Sequence, residues 1–168
     1  MHNLIKLPNQ ISVCPLWIDV NGRPDLIGSG VLIQIGKSRF LVSAAHVLDW
    51  ADEHPILFPK RGRFASVRGE WILSDCDGPR KHDQHDSGFV LLNDDTADEL
   101  AELFRFLPLE EVDVSDVLQP REIYEFQGYL CRRVIADRSS PRLHPTLLSY
   151  QSPLASDRVH VAAKRPSY

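Results

Sequence analysis

A mostly β fold, arranged as two β units joined by one amphipathic helix, is what this 168-residue sequence predicts. Three observations lead there. The first half of the chain breaks into short runs rich in Val, Ile, Leu and Phe, separated by Gly, Pro, Asp and Asn. Helical periodicity occurs once, near residue 100. Short strand-like runs then resume beyond residue 120.

In chain order, strands are expected over 11–20, 27–35, 40–47, 55–59, 64–73 and 88–92. Gly36-Lys37-Ser38, between two apolar runs, reads as a tight hairpin turn. Thr96-Ala97-Asp98-Glu99 reads as a capping box, with Thr96 as N-cap. Leu100, Leu103, Phe104 and Leu107 follow at helical spacing, and Pro108 ends a helix of about three turns. That apolar face is expected to pack on the β units rather than to await a partner helix. Strands are expected again over 123–130, 133–136, 147–151 and 158–163. The expected units are 1–94, a helical connector over 95–119, and 120–168.

Bulk properties narrow the function. Net charge is −4 with both signs interspersed, so no basic stripe invites nucleic acid. The start, MHNLIKLPNQISVCPLW, lacks a basic segment followed by an unbroken apolar stretch, and no run reaches membrane-spanning length. Three scattered cysteines, Cys14, Cys76 and Cys131, are too few for a disulfide framework and fit a reducing, cytoplasmic setting.

One stretch carries chemistry. Gly28-Ser29-Gly30 opens an apolar run, and the next run ends in Ser43-Ala44-Ala45-His46. GSGVLIQIGKSRFLVSAAHV resembles the first β-hairpin of trypsin-like (chymotrypsin-fold) serine proteases, where G-[ST]-G precedes a strand ending in T-A-A-H. The resemblance implies a double β-barrel, the first barrel complete and the second partial, with the bacterial, intracellular type of domain the nearer match. It makes His46 the general base. The chemistry fits: an imidazole held on a turn beyond a rigid strand, behind two small side chains, can take and return a proton near neutrality. The plain alternative is a half-buried histidine satisfied at a strand end.

The base needs an orienting carboxylate. Asp86-Ser87-Gly88-Phe89-Val90-Leu91-Leu92 resembles the family's D-[IL]-A-[VIL]-[VIL]-x-L, departing at Ser87 and Gly88. Asp83 is the rival; Asp86 is preferred because the apolar strand begins directly after it. His82 and His85, three apart, with Asp86 nearby, also raise a metal-dependent hydrolase, although that spacing is not the i,i+4 pair of helical zinc sites. Polar loop histidines, with no metal and no cofactor, are the expectation.

The nucleophile is missing. The family places its serine in G-x-S-G-G, whose turn offers two N–H groups to the oxyanion. Roughly 90 residues separate carboxylate and serine in the triad order, which from Asp86 runs past Tyr168. No G-x-S-G occurs; Ser139, Ser140, Ser149, Ser152, Ser156 and Ser167 lack flanking glycines. Glu125-Phe126-Gln127-Gly128-Tyr129-Leu130 resembles an early second-barrel strand, with Leu130 in place of proline. The expectation is therefore the N-terminal part of a serine endopeptidase acting on polypeptide, inactive alone and completed by a C-terminal segment or partner chain. A protease-like binding module without chemistry is the alternative.

Overall fold

The computed structural model describes residues 11–74, 80–112, 123–129 and 147–153. Its main sheet begins with β1 (Val13–Val20), which pairs antiparallel with the long β2 (Arg23–Ile35). Between Leu16 and Trp17 the register slips by one residue. Such a bulge turns neighbouring side chains towards different surroundings: Leu16 and Trp17 are both buried, in two separate apolar clusters.

β2 returns as β3 (Ser38–Ser43) through the expected tight turn, here the two residues Gly36 and Lys37, with Gly36 at φ 58°, a conformation glycine adopts without strain. β3 pairs with β7 (Gly88–Leu92), and β7 with β6 (Gly69–Leu73). On the other side, β1 pairs with β4 (Leu57–Lys60), which pairs with β5 (Arg63–Ser66). The path is β5-β4-β1-β2-β3-β7-β6, a curled antiparallel sheet. A short β8 (Leu107–Pro108) adds a parallel pairing to β2.

Three expected elements differ. The run 40–47 stays a strand only to Ser43; Ala45–Leu48 form a helical turn, α1. The run 64–73 is two strands rather than one, because Val67 N–H leaves to Ile56 O (2.8 Å) and Arg68 O accepts from Asn93 N–H (3.1 Å). The helix, α2, spans Asp94–Ala101, starting earlier and ending sooner than the capping box implied. Asn93 is its N-cap, accepting from Thr96 N–H at 2.9 Å, while Glu99 pairs with Lys60 at 2.5 Å and Leu107 lies in β8. The expected strands 133–136 and 158–163 lie outside the described residues.

The core explains the curl. Leu16, Leu32, Leu41, Val47, Leu48, Ile56, Phe58 and Val90 form one buried cluster, which Ala97 and Leu100 of α2 and Phe104 complete. Each of the Val, Leu, Ile and Phe side chains contributes about 1.5–3 kcal/mol. The apolar face of α2 thus packs against the β core, as its spacing implied. A second cluster, Val13, Trp17, Leu26 and Tyr129, seats a two-stranded antiparallel sheet of β9 (Ile123–Tyr129) and β10 (Leu147–Pro153). Tyr129 N–H donates to Ser29 Oγ at 2.7 Å, fixing that sheet to β2. No helix among the described residues is long and apolar enough to cross a membrane.

Candidate active site

The G-S-G of β2 prepares the ground for His46. A Cβ on Gly28 would lie 2.9 Å from both methyls of Val47, and one on Gly30 would lie 2.4 Å from Leu41 Cδ1. Both glycines leave room for the segment that bears the histidine. Ser43 Oγ donates to Ser29 O at 2.8 Å and fastens the end of β3. The chain then turns through Ala44 into α1, whose second residue is His46.

A helical turn begins with unpaired N–H groups, and Ala44 has no side chain to cap them. Asp86 does so from the loop that leads into β7. Its carbonyl accepts from Ala45 N–H at 3.1 Å, and its Oδ1 accepts from His46 N–H at 2.9 Å. Its Oδ2 lies 2.6 Å from His46 Nδ1. Asp86 holds φ at 39°, a left-handed conformation that aspartate tolerates better than most residues.

An ionised carboxylate only accepts, so the Nδ1 contact carries the proton on the ring. Neutral His46 is therefore the Nδ1–H tautomer, with a lone pair on Nε2. The ring is 61% exposed, Asp86 is 36% exposed, and Nε2 has no hydrogen-bond partner among the described residues. A held imidazole with a free, solvent-facing basic nitrogen can act as a general base.

The rival carboxylate does different work. Asp83 is buried and accepts from Ser74 Oγ at 2.5 Å and His85 N–H at 2.9 Å. The Ser74 hydroxyl, followed by the Asp86 backbone N–H, holds its carboxyl far below the usual carboxylate range. Arg80 binds it at 3.0 Å and also grips Asp49, with Nε to Oδ2 at 2.8 Å and a terminal nitrogen to Oδ1 at 2.9 Å. Sequence reasoning missed Arg80, Ser74 and Asp49. The one available signal was an aspartate three residues beyond His46.

Gly88, where the resembled pattern has alanine, lies against Leu73: an added Cβ would come within 2.6 Å of its Cδ2. His82 and His85 are exposed, and both carboxylate oxygens of Asp86 face His46. Among the described residues no three His, Cys, Asp or Glu side chains converge as a metal would need. A depression among the described residues lies between β5 and α2, lined by Arg63, Arg68, Asp95 and Glu102, away from His46. No protein-family model matches the chain, and no curated protein matches it.

Proposed function

We propose that this chain is the N-terminal part of a trypsin-like serine endopeptidase, with His46 as general base and Asp86 as its orienter. The observation that carries the reading is the double hold of Asp86 on His46, one oxygen on the main-chain N–H and the other on Nδ1. In this chemistry Nε2 takes the proton of an attacking serine hydroxyl and returns it to the leaving amine, while Asp86 keeps the ring oriented and stabilises the imidazolium.

The strand path gives further support to a first barrel of the chymotrypsin type. β5 and β6 are separated only by Val67 and Arg68, and they pair with β4 and β7, the two ends of the remaining path. Residues 63–73 thus act as one bent run closing a circuit of six, the count this barrel requires. β9 and β10 correspond to the beginning of a second barrel.

With no G-x-S-G in the sequence, the serine and the oxyanion donors belong outside residues 1–168. Treating the full natural gene product with a fluorophosphonate probe tests this. Labelling of a serine outside residues 1–168, lost in His46→Ala, is expected. A product that labels no serine, or labels one within residues 1–168, overturns the reading. The absent motif also favours a second reading, a binding module on a protease-like scaffold, in which His46→Ala leaves partner binding intact.

A further inference from the structure

We propose that Arg80 is a positioning residue for the His46–Asp86 pair, tying the turn that carries the histidine to the loop that carries the aspartate. The proposal rests on the functional reading above and concerns how that site is held.

The two members of the pair come from separate stretches, α1 behind β3 and the loop between β6 and β7. Their direct contacts are with each other, at an exposed position where solvent competes. Arg80 supplies a second connection beneath. On one side it makes a forked pair with Asp49, the residue that follows α1. Such two-point geometry fixes orientation as well as distance. On the other side it donates to Asp83 Oδ2 at 3.0 Å and to Ser74 O at 2.6 Å.

Asp83 passes this hold on. It accepts the N–H of His85, the residue directly before Asp86, at 2.9 Å, so the backbone entering the orienting residue hangs on its carboxylate. Ser74 closes the loop: its N–H donates to Ser87 O at 2.8 Å, and its Oγ accepts from Ser87 N–H at 3.2 Å. The Arg80 guanidinium touches both the His46 side and the Asp86 side of this assembly. Lysine, a point donor without the fork, could serve either side but not both.

The test is the ring tautomer of His46, read by long-range proton–nitrogen NMR on the 15N-labelled chain at a pH where the ring is neutral. Wild type is expected to show Nδ1 protonated and Nε2 bare. In Arg80→Gln the Nδ1–H form should cease to dominate while dispersed amide signals show that the fold persists. Arg80→Lys should lie between the two. Asp49→Asn, which cuts only the tie to α1 and leaves the Asp83 turn intact, should move the same signal in the same direction. A folded Arg80→Gln with the wild-type ring pattern, or an Asp49→Asn indistinguishable from wild type, overturns the proposal and leaves the His46–Asp86 reading standing. A wild-type ring without the Nδ1 proton overturns both.

Discussion

Substituting Gly28 by alanine tests whether the G-S-G stretch exists to seat the turn that bears His46. The added Cβ would stand 2.9 Å from both Val47 methyls, whereas relaxed carbon contacts lie at about 3.5–4.0 Å. Val47 must therefore retreat by more than about half an ångström. It cannot rotate away easily, because a β-branched side chain on a helix has one strongly preferred rotamer. The overpacking should cost about 1–3 kcal/mol. Val47→Ala alone should cost about 1.5–2.5 kcal/mol, from two lost methyls and a residual cavity. With those methyls gone, the nearest Val47 atom to the new Cβ is its own Cβ at 3.5 Å, an ordinary contact. Gly28→Ala should then be neutral, or favourable by about 0.5 kcal/mol because a strand glycine is replaced. Urea unfolding at 25 °C, followed by tryptophan fluorescence, would give all four corners of the cycle, with a coupling of about 1–3 kcal/mol. A single-mutant cost below about 0.5 kcal/mol, or additivity across the cycle, would refute the packing account.

Other outcomes follow from the same structure. Asn93→Ala should cost about 1 kcal/mol through loss of the α2 cap, measured by denaturant midpoint. Asp83 titrates below its unfolded value near pH 3.9, so its stabilising contribution is complete above that pH and lost as pH falls below it. Asp83→Asn should accordingly flatten the fall in melting temperature between pH 5 and pH 2, although it lowers stability at neutrality. Tyr129 buries a hydroxyl with no partner among the described residues, and burial, with Cys14 adding to it, pushes its pKa up to about 12. Tyr129→Phe should raise stability by about 1 kcal/mol, or about 2–4 °C by calorimetry. It should also lessen the loss of stability as pH rises above about 10, where the unfolded phenol ionises first, leaving the part due to the buried Cys14 thiol.

What could be read in advance divides by the range of the interactions. β7 matched its expected bounds because an unbroken apolar run between polar residues specifies a buried strand locally. Asp86 was legible for the same reason, standing at the head of that strand. The start of α2 was not, because Asn-x-x-Thr and Thr-x-x-Glu overlap here and both are acceptable caps. Tertiary contacts decide between them: Thr96 is buried, and Glu99 is turned to Lys60 on β4. The break at Val67 likewise depends on acceptors and donors from Ile56 and Asn93. Arg80 reaches Asp49 across 31 positions, and no local pattern announces such a pair.

The cap that Asp86 places on α1 bears on how such a domain would age. Two of its three bonds to that turn go to main-chain N–H groups, and neither depends on the imidazole. Replacing the aspartate would leave its carbonyl on the Ala45 N–H but strip the His46 N–H of its partner, whether or not the ring carries out any chemistry. The histidine ring has no comparable duty, and its exposed side could drift freely. In related sequences the aspartate would therefore track the fold, and the histidine would track the function proposed above.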